Sequence, residues 1–167
     1  MKTKIILIFF LLTISLFGQF KANKDGFLIK VKSNEDENIT CEFTLYYNKK
    51  EYFDMRIIIG VNLDETNKPT KVMFSTFNGN LSIPYEDNLN IGVSAYYSEK
   101  DKQHKLIFTG DEKMKEALYL LASKHVAIFQ IYTQDTFYNF DFSEYSEKMR
   151  KNKKYDEAMT RLIFNPK

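Results

Sequence analysis

A chain of 167 residues suffices for one domain and leaves little for a second. With 44% hydrophobic residues, 16% aromatics and only six Gly and three Pro, it is neither disordered, collagen-like nor low-complexity. The net charge is +2, and removing Lys2 and Lys4 with the N-terminal segment leaves 22 basic against 22 acidic residues, which excludes a strongly basic nucleic-acid binder and a strongly acidic mimic.

That N-terminal segment reads as an export signal. Lys2 and Lys4 precede an apolar stretch over residues 5–17, broken only by Thr13 and Ser15. It is too short to cross a hydrocarbon core of roughly 30 Å comfortably, and a basic start with a short apolar run is the pattern of a secretory signal peptide. Leu16-Phe17-Gly18-Gln19 resembles signal ends common in Bacteroidetes, so the expected cut is after Gly18, with Ala22 as the alternative end. Residues 19–167 then form a single β-rich domain, periplasmic or extracellular, with no transmembrane span once the signal is removed. Cys41 lies too far along the chain for a lipoprotein. As the one cysteine it has no intramolecular disulfide partner, so in an oxidising compartment it must be buried, paired with another chain, or reactive.

Period-2 alternation dominates the first two-thirds of the mature chain. Residues 27–31 read as the first strand. Ile39, Cys41, Phe43, Leu45 and Tyr47 alternate with mostly polar residues, as a half-buried antiparallel strand requires. Asn48-Lys49-Lys50 turns the chain into a second such run, Phe53, Met55, Ile57 and Ile59. Residues 71–77 end in Asn78-Gly79, a hairpin signal because both residues accept positive φ; residues 81–83 return and Pro84 stops them. Residues 90–97 and 104–109 flank a charged turn. Residues 126–133 are apolar on both faces and therefore expected to be central, with a turn at Gln134-Asp135 leading into residues 136–142.

Two segments change period. Asp111 is placed to cap a helix with apolar positions Met114, Ala117, Leu118 and Leu121, acidic residues early and Lys124 and His125 late. A second helix is expected from Ser143, with capping-box spacing between Asp141 and Glu144, a buried stripe of Tyr145, Met149, Met159 and Leu162, and a split at Asn152. The expected fold is mainly β (α+β): an antiparallel β-sandwich or curved sheet of about eight or nine strands with one or two packed helices.

No catalytic, cofactor-binding or metal-binding set stands out. Cys41 as a nucleophile would need His104 or His125 as its base, and neither sits in a family signature. Its phase with Ile39 and Phe43 reads as a small buried hydrophobe. His125 reads as a capping or packing residue, His104 as exposed beside Lys102 and Lys105. Two isolated histidines make no zinc-type ligand set. Residues 34–38 alternate oxygen ligands, but Ile39 and Leu45 fill the positions where a calcium loop needs Gly and Glu. The basic run 148–154 has acidic neighbours Glu144, Glu147, Asp156 and Glu157 at pairing distance along a helix. Tyr132, Phe137, Tyr138, Phe140, Phe142 and Tyr145 crowd one hairpin, a pattern that suits either a stacking surface for sugars or peptide, or core packing. Asn38-Ile39-Thr40 and Asn80-Leu81-Ser82 match the N-glycosylation sequon. Gly-rich phosphate loops, nucleophile elbows and His-Glu-x-x-His are absent from the sequence.

From Met114 onward, a helix ending in a polar turn (residues 118–124), a strand (126–132), a tight turn, and a strand running into a final helix (138–149) resemble the C-terminal part of small exported bacterial β-sandwich families such as the invasion-associated locus B family. Those families carry cysteine pairs where this chain has Cys41 alone. The resemblance implies a sandwich-like exported accessory protein and no particular site. The leading expectation is a non-enzymatic binding or accessory module of the cell envelope, with a protein or glycan partner, no nucleic acid and no cofactor. The alternatives are an exported immunity or inhibitor protein and a small carboxylate-dependent envelope hydrolase.

Overall fold

The alternating segments become two antiparallel sheets in the computed structural model, which describes residues 19–51, 54–76, 79–122 and 128–164. The segment read as an export signal, Phe53, Asn78 of the hairpin signal, Lys124, His125 and Val126 lie outside the described residues. The first sheet pairs β1 (Gln19–Asn23), β2 (Gly26–Lys32), β3 (Thr40–Asn48), β4 (Asp54–Val61), β8 (Gln103–Phe108) and β7 (Val93–Ser98) in that order. The second pairs β10 (Phe137–Asp141), β9 (Ile128–Tyr132), β5 (Lys71–Thr76) and β6 (Gly79–Pro84). Three helices complete the described elements: α1 (Asp111–Leu121), α2 (Ser143–Arg150) and α3 (Lys153–Phe164). The mainly β, α+β architecture is the expected one.

Alternation decides which face is buried. Phe27 and Ile29, Cys41, Phe43 and Leu45, Ile57 and Ile59, and Leu106 and Phe108 face inward from the six-stranded sheet. Val72 and Phe74, Leu81 and Ile83, Phe129 and Ile131, and Phe140 face them from the four-stranded sheet. The layers meet where Phe74 lies edge-on to Phe108, ring centroids 6.3 Å apart. α1 packs on β5 and β6, α3 on β2 and β3, and the two helices touch, so they help fill the space between the sheets. Phe142, fully buried before α2, contacts Phe43 of one sheet at 6.2 Å and Phe129 of the other at 5.9 Å. Burying one such ring contributes about 1.5–3 kcal/mol.

Several local expectations are corrected. A strand precedes residues 27–31: β1 is short and mostly exposed, with Phe20 alone partly buried where its ring stacks on Phe27, centroids 5.7 Å apart. Residues 90–92 are not strand; Leu89–Ile91 form a 3₁₀ turn closed by Gly92 at φ 63°, ψ 48°, and β7 starts at Val93. The cap of α1 is Gly110, without a side-chain bond, because Asp111 is the first helical residue and pairs with Arg161 instead. Asp141 and Glu144 form no capping box: Phe142 occupies the cap position, and Asp141 Oδ1 accepts the Ser143 N–H at 2.8 Å. β9 is central, as expected, but Ile128, Gln130 and Tyr132 on its outer face are only partly covered.

Two sheet edges are partly blunted by neighbouring loops, which take up backbone groups that would otherwise be free to pair. Asn139 of β10 donates its N–H to Glu35 Oε2 at 2.6 Å and accepts the Asn34 N–H at 2.9 Å. Ala95 of β7 donates its N–H to Asp87 Oδ1 at 2.8 Å, beside an Asn88–Val93 bridge.

Candidate functional site

The end of the four-stranded sheet where β5 begins, β6 and β9 end and β10 begins gathers three loops. Register sets Phe137, Tyr132, Lys71 and Pro84 in one row across that end. Immediately beyond the row, backbone bonds lock the loops together. The Thr70 N–H donates to Tyr132 O at 2.7 Å, the Tyr85 N–H to Thr70 O at 2.9 Å, and the Thr133 N–H to Thr136 O at 2.8 Å. They frame a cavity of about 430 Å³ lined by Thr66, Asn67, Lys68, Pro69, Thr70, Tyr85, Gln134 and Asp135. That volume lies in the range of small-molecule sites.

The inner wall is buried and hydrogen-bonded. Tyr85 is buried and donates its hydroxyl proton to Tyr96 O at 2.7 Å. Burial pushes its pKa up to about 12, so the phenol stays neutral. His104 Nε2 lies 2.9 Å from Asp64 O, so this nitrogen carries the proton, a carbonyl being able only to accept. The other ring nitrogen lies 3.4 Å from Tyr85 Oη. His104 thus ties the loop holding Thr66–Thr70 to β8 and backs the tyrosine at once. The expectation that His104 is exposed is overturned: it is fully buried, in phase with Leu106 and Phe108 on the inner face.

The outer wall is polar and lacks ionic partners. Lys68 Nζ rests 5.9 Å from the centroid of the Tyr85 ring and has no ion pair among the described residues; Asp135 has none either. On the adjoining outer face, Tyr132 is flanked by Lys71, its Nζ 4.2 Å from the ring centroid, and by Phe137, with centroids 5.5 Å apart. Phe137 is 43% exposed at the sheet edge, leaving apolar ring surface open. Farther along this face the polar groups satisfy one another: Tyr132 Oη donates to Gln130 Oε1 at 3.1 Å and Gln130 Nε2 donates to Asn139 Oδ1 at 2.7 Å.

A second cavity, about 510 Å³, opens where Leu89–Gly92 meet Thr109–Lys113. It is bounded by the N-terminus of α1, whose positive end already has Asp111 and Glu112 beside it.

The residues singled out in the sequence are dispersed. Cys41 and His104 both pair with Val61, one on each side of β4. Two strand spacings, about 9–10 Å, therefore separate them, beyond the reach of a nucleophile and its base. Cys41 is fully buried, and burial pushes its thiol well above the ordinary range. Among the described residues, no group of three or more His, Cys, Asp and Glu is placed to hold a metal ion, and no helix is long and apolar enough to cross a membrane. The basic run is largely engaged with its neighbours: Lys151 pairs with Glu147 at 2.6 Å, Lys154 with Glu157 at 3.0 Å, and Lys148 Nζ lies 5.3 Å from the Tyr145 ring centroid. Of the crowded aromatics, Phe140, Phe142 and Tyr145 are core, Tyr138 packs against it, and Phe137 faces solvent.

Thr66–Thr70, Tyr85 and Asp135 were not nominated by sequence. The available signal was a polar, proline-bearing stretch between strands. Comparison of the chain with protein-family models, with curated proteins and with solved structures finds no match.

Proposed function

We propose that the protein is an exported, non-enzymatic binding module of the cell envelope that engages its partner through the loop end of the four-stranded sheet. The observation that carries this reading is the cavity there: a hydrogen-bonded wall built on Tyr85 and His104 faces charged side chains that have no ionic partner of their own among the described residues. Preorganised walls with polar groups still open to a ligand lower the ordering cost of binding. The separation of Cys41 from His104 favours binding over thiol chemistry. The helix–strand–strand–helix layout after Met114 fits the accessory role implied by its likeness to the invasion-associated locus B family.

Export rests on Lys2, Lys4 and the apolar run after them. A cut after Gly18 keeps all of β1 on the edge of the six-stranded sheet. A cut after Ala22 would strip every residue of that strand but Asn23. Mass spectrometry of the protein from its native host is expected to give an N-terminus at Gln19; recovery of intact Met1 refutes export. For binding, immobilised protein is expected to retain material from the host's envelope fraction, and Lys68→Ala/Asp135→Ala to lose it. Equal retention by both would place the binding surface elsewhere.

A further inference from the structure

The open polar groups of the cavity carry a specific chemical signature, and on the binding-module reading just given we propose that its ligand is a neutral oligosaccharide. A sugar hydroxyl both donates and accepts, so its sites need donors and acceptors side by side. Lys68 supplies donors only, Asp135 acceptors only, and Asn67 and Gln134 both, all lining the same cavity. The two charges sum to zero, so the lining carries no net charge that would favour an ionic ligand of either sign.

Sugars also present an apolar C–H face, which packs on aromatic rings. Phe137 meets that need two positions after Asp135 in the same hairpin, and its ring surface is partly open. Tyr132 lies beside it in the row. Tyr132 itself is committed between Phe137 and Lys71, so it holds Phe137 in place instead of competing for the ligand. The cavity spans about 430 Å³, room for one or two sugar rings, with the chain of a longer glycan running out across Phe137.

The test uses the full mature protein and two readouts. In titration calorimetry against maltotetraose, cellotetraose, mannotetraose and chitotetraose, at least one is expected to bind saturably and with little dependence on salt. Phe137→Ala and Asp135→Ala, both exposed positions, are each expected to weaken it about tenfold or more while the protein stays folded, Asp135→Ala with an unchanged melting temperature and Phe137→Ala with a small drop from its lost contact with Tyr132. In parallel, envelope material retained by the wild-type protein is treated with periodate, which cleaves vicinal diols, or with protease. Loss of retention on periodate treatment alone supports a glycan, including one outside the four tested. Loss on protease treatment alone, with no tetrasaccharide bound, overturns the glycan proposal and leaves the binding module intact. No retention and no tetrasaccharide binding overturns both.

Discussion

Arg161 Nη1 donates to Asp111 Oδ1 at 3.0 Å, joining the last turn of α3 to the first turn of α1, with only 8% and 14% of the two side chains exposed. Each charge sits at the helix end whose dipole favours it. Removing one partner leaves the other buried and uncompensated, which costs more than the pair itself contributes. Asp111→Ala is expected to destabilise the protein by about 3 kcal/mol in urea unfolding. The double variant Asp111→Leu/Arg161→Met is expected to recover most of that loss. A double variant no better than the single one would show that the pair contributes through its geometry and not only by avoiding a lone charge.

Glu35 gives the chain an acid-sensitive tie between the β2–β3 loop and β10. Burial on its own would raise its pKa, but hydrogen bonds from the Asn139 N–H, from Ser33 and from the Asn139 amide outweigh it and hold the carboxyl below its ordinary value of 4.5. A folded pKa below the unfolded one stabilises the fold fully above the unfolded value, and that contribution is lost as pH falls through the folded value. Melting temperature is therefore expected to drop on acidification below about pH 4.5, and Glu35→Gln to flatten that drop. Glu35 is largely solvent-exposed, so the effect is small. An identical acid profile for the variant would mean that the tie carries no linkage.

The readable parts of this fold were those written in side-chain periodicity. β3 declared itself because every second residue from Cys41 to Tyr47 is buried. β1 did not, because its alternation spans only Gln19 to Asn23, buries Phe20 alone and only in part, and falls between the two expected ends of the signal. His104 was misplaced by its charged neighbours, although its phase with Leu106 and Phe108 pointed inward. The candidate site was out of reach for a different reason. Its walls come from residues 66–70, 85 and 134–135, which meet only because β9 pairs with β5 across more than fifty residues of chain. Local pattern carries no record of that pairing.

Two glycines separate steric from torsional strain. Gly92 sits at φ +63°, and a Cβ there would lie 2.3 Å from Gly110 N, because the Gly92 carbonyl accepts the Thr109 and Gly110 N–H groups. Gly79 has φ +153° with nothing within 4 Å of a Cβ. Both Ala substitutions force an unfavourable backbone conformation, at a cost of order 1–3 kcal/mol. Only Gly92→Ala must also push two backbone segments apart, so it is expected to be the more destabilising by about 2 kcal/mol in urea unfolding. Equal losses would mean that the Gly92–Gly110 contact relaxes freely.

Cys41 tests whether the core of the six-stranded sheet is closed. It pairs with Val31 on one side and Val61 on the other, faces Phe43 and Leu45 along its own strand face, and is fully buried. Burial favours the neutral thiol, and only the thiolate reacts. A maleimide is therefore expected to label native protein far more slowly than free cysteine and to react at full rate only after denaturation. Cys41→Ser keeps the shape of the side chain at a slightly smaller size but buries a hydroxyl among apolar neighbours, at a cost of about 1–3 kcal/mol. Cys41→Ala removes the sulfur without adding a polar group, so its loss comes from the small void alone, about 1 kcal/mol. If burial is the reason for the slow labelling, Cys41→Ser unfolds at lower urea than Cys41→Ala. Rapid labelling of the folded monomer would instead mean an open path to the thiol between β3 and its neighbours. The approximately two-strand gap to His104 would then be the first distance to re-examine, because an accessible thiolate needs a base or a cation near it.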